Sequence, residues 1–238
     1  MLEVINRYVK DYGRRKIDVL ITEGTMLGIR KDEKRYSEKQ MLKDATELFK
    51  DNKYIFLKIS STNVDSLATF YHAAEKNGMG LYCNSYVLKQ LEMFSEAGRK
   101  YTDFYNFNKV WPILFTKDES SNSERYAHSY SAQRKHMREE GFVILVSEYD
   151  NYDRLIEEFR DLPTLFLYSL WKGYINKDIG KGAYNPKLAK FCEKHKAIEM
   201  HTSGHAYPEF IEQVISVVEP REVITIHTEK CDMNKCGE

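Results

Sequence analysis

The sequence predicts an α/β fold with parallel strands, and three observations carry that prediction. Short apolar runs rich in β-branched residues recur along the chain, among them "IDVLIT", "YIFLKI", "FVILV", "TLFLY" and "EVITIH". Each is too short for a helix and fits a buried strand. Between them lie segments whose apolar residues return every three or four positions, the pattern of a helix with one buried face. The two kinds alternate, as parallel strands joined by crossover helices require.

The elements follow in order. "IDVLITEG" (17–24) reads as a buried strand ending in Glu-Gly. "SEKQMLKDATELFK" has Ser37 with Gln40 three residues on, a capping-box spacing, and Leu42, Ala45, Leu48 and Phe49 on one face. "KYIFLKIS" (53–60) is the next strand. The helix after it takes Thr62 or Asn63 as its cap, buries Leu67, Phe70, Tyr71 and Ala74, and stops at Gly78. "GLYCN" is a strand and "SYVLKQLEMF" a helix. From Tyr101 to Glu140 the pattern is lost, and an irregular insertion or lid is expected. Its aromatics Tyr101, Phe104, Tyr105 and Phe107 leave a nucleotide-stacking surface as the other reading. Regularity returns with "GFVILVS", a helix capped by Asp150, and "PTLFLYSL". A loop "KDIGKGAYN", the helix "NPKLAKFCEKH" and the strand "KAIEMHTS" follow. The last helix has Pro208 in its first turn, Phe210, Ile211, Val214, Ile215 and Val218 on one face, and Pro220 beyond its end. "EVITIH" closes the sequence of strands.

Length and composition narrow the class. The chain of 238 residues fits one large or two modest domains, and 42% apolar residues suffice for a core. No run of 18 apolar residues suggests a membrane span, and the N-terminus lacks the apolar block of a signal peptide. Thirty-six basic and 36 acidic residues balance, so bulk charge selects no polyanionic partner. Four cysteines do not make a disulfide scaffold, and a reducing cytoplasm is the expected compartment. Cys231 and Cys236 are spaced too widely for a zinc-ribbon pair, so a plain tail is expected there. Neither GxGxxG nor GxxxxGK[ST] occurs, which argues against a nucleotide-binding doubly wound domain.

Chemistry in an open α/β sheet gathers at the carboxyl ends of strands. Four groups of residues fall there: Glu23 with Thr25, Ser60 to Asn63, Ser169, and the pair His205 and His227. Plainer readings exist: Glu-Gly-Thr as a turn, Ser-Thr-Asn as a helix cap, and a lone histidine after a strand as a satisfied polar residue. His201 precedes His205 by four residues, but the segment reads as strand then loop, so no helical HxxxH pair arises.

Together these segments resemble the metallo-β-lactamase-fold hydrolases of the β-CASP branch, to which ribonuclease J belongs. "SGHAYPEFIEQVISVVEPREVITIHTE" is similar to that branch's closing segment, with a Ser-(Ala/Gly)-His loop, a helix and a strand ending in histidine. "DVLITEGTMLG" resembles its acidic motif, "FLKISSTNVDSLATFYHAA" the start of its inserted domain, and "LFLYSLWKGYIN" a later serine-bearing loop. The resemblance runs from about Ile17 to Glu229 in the right order.

The resemblance implies a β-CASP-like parallel α/β domain (35–190) inserted in a partial αββα fold made by segments 1–34 and 191–238. It implies that Glu23 orients the loop or the neighbouring histidine, that His205 meets the scissile phosphate, and that His227 is a metal ligand. Thr25, Ser60, Thr62, Asn63, Ser169 and Ser203 become expected phosphate or substrate contacts. Thr228 stands where the family carries glycine. The family's His-x-His-x-Asp-His motif lies before the acidic strand, yet only sixteen residues precede Ile17 and none is histidine. The expectation is therefore a portion of a zinc-dependent phosphodiesterase, inactive alone, with an exposed sheet edge and core face where the other half would pack. Two zinc ions belong to the complete enzyme and would not be held tightly by this chain. RNA is preferred to DNA as substrate, and the partners are an N-terminal half or partner subunit, with a homodimer also open. The alternative is a non-catalytic binding or dimerisation module.

Overall fold

The computed structural model describes residues 2–11, 17–27, 36–98, 102–116 and 129–227. Along the chain run α1 (Leu2–Asp11), β1 (Val19–Glu23), α2 (Glu38–Asp51), β2 (Tyr54–Ile59), α3 (Val64–Lys76), β3 (Gly80–Cys83) and α4 (Ser85–Gly98). There follow β4 (Val110–Pro112), α5 (Tyr130–Glu140), β5 (Phe142–Leu145), α6 (Asp150–Glu158) and β6 (Leu165–Ser169). The chain closes with α7 (Lys177–Gly180), α8 (Pro186–Lys194), β7 (Ile198–Glu199), α9 (Pro208–Val218) and β8 (Glu222–Ile226). All strand pairs are parallel, so the α/β class expected from alternation holds. Among the described residues no helix is long and apolar enough to cross a membrane.

Two compact units divide the chain: 1–35 with 204–238, and 36–203. β7 pairs with β6, Leu167 facing Ile198, and residues up to 203 belong to the larger unit.

The larger unit is a six-stranded sheet in the order β4-β3-β5-β2-β6-β7. Side chains alternate across it, as the pleat demands. Ile55, Leu57, Leu81, Val143 and Leu167 meet α2, α3 and α4 on one face. Phe56, Tyr82, Phe142, Ile144 and Phe166 meet α5 and α6 on the other. The helix starts are chemical: Ser37 Oγ accepts from Gln40 N at 3.2 Å, and Asn63 Oδ1 accepts from Ser66 N at 3.1 Å. Of the two proposed caps of α3, Asn63 is the one used. For α6 the sequence named Asp150, but the capping position is Tyr149, with no side-chain bond, and Asp150 lies in the first turn.

The region expected to be irregular contains β4 and α5. The buried positions of α5 are Gln133, Arg134 and Met137, so it has no apolar stripe to announce it. Polar partners replace the stripe. Gln133 Oε1 accepts from Leu114 N at 3.0 Å, and Arg134 Nε donates to Glu158 Oε1 at 3.0 Å. Phe107 is buried, and Phe104 and Tyr105 are partly buried against the core. Tyr101 lies outside the described residues.

His195 ends α8 with its ring stacked on Phe166, centroids 4.3 Å apart. Its Nε2 is buried and has no hydrogen-bond partner among the described residues. Burial, then the charge of Lys194, holds the imidazole below its usual 6.5. The unfolded chain therefore takes up the proton first. Stability from the neutral ring is complete above pH 6.5 and falls as pH drops through the lower folded value. His195→Phe is expected to flatten this dependence and to add about 1 kcal/mol by removing the orphaned nitrogen. Urea unfolding of both proteins at neutral and mildly acid pH checks it, and an equal acid loss in the variant would reject the assignment.

The smaller unit pairs β1 with β8, Val19 opposite Glu222 and Glu23 opposite Ile226. α9 contacts both α1 and β1. Its face of Phe210, Ile211, Val214, Ile215 and Val218 is wholly or partly buried, as the 3.6-residue period predicts. β1 was expected to be buried, yet Val19 and Ile21 are exposed, as are Ile224 and Ile226 on β8. Parallel register puts these four on one face of the pair, which is bare.

Candidate functional site

Glu23, Thr25, His205 and His227 meet at the carboxyl end of the β1–β8 pair. Register alone brings two of them together, since Glu23 ends β1 opposite Ile226 and His227 follows. Gly24 N donates to Ile226 O at 2.9 Å, which locks the two strand ends. His205 arrives from the loop before α9. Gly204 turns there at φ 67°, a left-handed conformation that glycine adopts without a Cβ penalty.

The Glu23 carboxylate takes a donor on each oxygen. Ala206 N donates to Oε1 at 2.6 Å, and His205 Nδ1 lies 2.6 Å from Oε2. Burial opposes ionisation, but the Ala206 amide and the hydrogen bond and charge of His205 outweigh it. The Glu23 carboxyl is thereby held below its usual 4.5. An ionised carboxylate accepts only, so His205 carries a proton on Nδ1 and the ring's chemistry falls to Nε2.

Thr25 does the same for His227. Its hydroxyl lies 3.0 Å from His227 O and 3.1 Å from His227 Nδ1. One hydroxyl has one hydrogen, so donating to the carbonyl leaves its oxygen to accept from Nδ1–H. That tautomer turns the Nε2 lone pair outward, the form a metal ligand needs. His227 has φ 56°, an uncommon conformation for a residue with a Cβ, and the Thr25 hydroxyl pins its carbonyl. The His205 and His227 rings stand 5.3 Å apart, and ligand atoms of Glu23, His205 and His227 all lie within 4.8 Å of one another.

The donor chemistry, two imidazoles and a carboxylate, suits zinc. The carboxylate, however, already serves Ala206 and His205, so it acts as a second layer that orients a histidine. His227 Nε2 fits one ion with positions left over, and among the described residues no two-ion centre is formed.

The other expected contacts belong to the larger unit. Ser60 Oγ and Thr62 Oγ1 are 2.8 Å apart and bond to each other. Asn63 is spent as the cap of α3. Ser169 ends β6 and is buried, with no partner for its hydroxyl among the described residues. Ser203 is the unit's last residue and is exposed. His201 lies on the stretch just after β7, outside the meeting of Glu23, His205 and His227. Thr228, Cys231 and Cys236 lie outside the described residues.

Sequence reasoning missed the amide of Ala206, which binds Glu23 as closely as the histidine does. A backbone donor leaves no residue-type signal. It also missed Glu38, which accepts from Ser66 at 2.9 Å, Thr69 at 3.1 Å and Thr202. Comparison with known proteins adds no assignment: no family model matches the chain, and no curated protein matches it.

Proposed function

We propose that this chain is part of a metal-dependent phosphodiesterase of the β-CASP type, acting on nucleic acid and inactive without further ligands. The observation that carries the reading is the Glu23–His205–His227 constellation. Three residues from three separate segments converge in roles that the chemistry requires: an orienting carboxylate, a histidine for phosphate, and a histidine for metal.

A divalent cation held by His227 would supply a polarising charge and a water of lowered pKa. The chain's own residues do the rest. Glu23 fixes the His205 ring through Nδ1. When protonated, that ring donates from Nε2 to a phosphoryl oxygen and has a proton to pass to the departing oxygen. Thr25 holds His227 in the ligating tautomer.

The bare face of Val19, Ile21, Ile224 and Ile226 supports the same reading. Parallel strands are stable when both faces are covered, and a two-stranded pair is marginal alone. A second α/β element seated on that face would cover it and could bring the missing histidine and aspartate ligands to the strand ends.

The test pairs this chain with a polypeptide carrying a His-x-His-x-Asp-His element and assays labelled RNA and DNA with zinc or manganese. Single-stranded RNA should be cleaved, and His227→Ala should abolish cleavage. If the paired enzyme cuts neither RNA nor DNA, the nuclease reading is lost. Tight binding of two zinc ions by this chain alone would contradict its incompleteness.

A further inference from the structure

We propose that the loop joining β6 to α8 is a binding platform for single-stranded nucleic acid. It stands apart from the proposed hydrolase: the surface would bind whether or not Glu23, His205 and His227 carry chemistry.

Two aromatic rings face solvent where β6 ends. Trp171 is 45% exposed and Tyr174 39% exposed, with ring centroids 5.5 Å apart. A tryptophan left this open forfeits nearly half of the burial its size would return. The loop beneath the rings is built to hold them. Gly173 lies under the indole, where a Cβ would come within 2.4 Å of the ring. Gly180 packs on the Gly173 carbonyl so closely that a Cβ would sit 1.8 Å from the oxygen. Tyr168 Oη donates to Trp171 O at 2.9 Å, and Asn185 N donates to Tyr174 O at 2.8 Å. Asn176 and Asn185 cap the two helices that follow, α7 and α8. The rings therefore stand on a fixed backbone, which lowers the ordering cost of binding.

The charge around them is basic. Residues 171–187 hold four lysines and one acid, Asp178. Lys172 is spoken for, 3.3 Å from Glu199. Among the described residues Lys177 and Lys181 form no ion pair, and both are exposed. Lys187 stands 5.6 Å from the ring centre of Tyr149, itself 66% exposed, and also feels Glu148.

Two partly exposed rings set edge to face at 86°, with exposed lysines beside them, suit a strand whose bases are unstacked and whose backbone is anionic. A duplex hides its base faces, and an acidic peptide has none to offer.

Fluorescence anisotropy with labelled oligo(U) and oligo(dT), and a duplex of equal length, tests this on the full chain. The single strands should bind at least about tenfold more tightly than the duplex. Trp171→Ala should weaken them about tenfold, the size of one lost base–aromatic stack, while Trp171→Phe retains most of the affinity. Lys177→Gln and Lys181→Gln should each reduce the salt dependence by about 0.7 in the log–log slope. The chain has two tryptophans, so Trp111→Phe leaves Trp171 as the sole tryptophan, read by excitation that spares tyrosine. Its fluorescence should change as oligo(U) saturates, a readout that holds even if Trp171→Ala fails to fold. Absence of binding at low salt, equal or tighter duplex binding, or unchanged Trp171 emission at saturation would each overturn the proposal.

Discussion

Under the proposed function, Glu23→Gln is expected to lower phosphodiesterase turnover of the chain paired with a His-x-His-x-Asp-His polypeptide about 100-fold or more, with little change in KM. The reason lies in what each oxygen of Glu23 receives. Ala206 N–H is a donor that cannot change role, so the one oxygen of a glutamine would go to it. The amide NH2 would then face His205 Nδ1, which could remain in contact only by becoming an acceptor. The neutral ring's proton would move to Nε2. The variant would also lack the carboxylate that balances a second proton on the ring, so acid catalysis would fail. Nitrogen-15 shifts of the His205 ring report the tautomer without reference to activity. Turnover within about threefold of the parent, or an unchanged Nδ1–H tautomer, would reject the orienting role. The pH dependence has a definite sign. The folded carboxyl is held below 4.5, so its contribution to stability is complete above that value and is lost as pH falls through the lowered one. The glutamine variant should lack that acid loss.

Phe56→Ala should cost about 3–5 kcal/mol, a large share of a domain's total stability. Phe56 is fully buried on β2, the strand flanked by β5 and β6. Its ring stacks on Phe166 at 4.9 Å and meets Phe142 edge-on at 5.4 Å. Phe142 in turn touches Phe159 at 4.8 Å, so one deletion opens a space at the centre of a ring cluster that α6 cannot close by itself. A urea midpoint shift with unchanged slope measures the loss. A cost below about 1 kcal/mol would mean that this face of the sheet is loosely packed.

Strand and helix positions were legible where burial is apolar. Ile55, Leu57, Val143 and Leu167 write the sheet into the sequence, and Ser37 and Asn63 mark helix starts by a local bond to the backbone. The helix α5 was not legible, because Arg134 and Gln133 fill its buried face through polar partners that lie far along the chain. The local pattern of β1 reads as buried although the resemblance implied an exposed core face, and the reason is related. Val19 and Ile21 state that a strand should be covered, and say nothing of whether a cover is present.

At the candidate site the sequence by itself determined which side chains could act. Glu23, Thr25, His205 and His227 stand at strand ends or beside a glycine turn, positions set by short-range pattern. Tertiary structure alone decided what they do to one another. The register of β1 on β8 brings Thr25 to His227 across 202 positions, and the return of the chain at 204 brings His205 and Ala206 to Glu23. Hydrogen bonds act over about 3 Å in space. Which atoms lie that close depends on strand register and chain path, and no local sequence pattern encodes either.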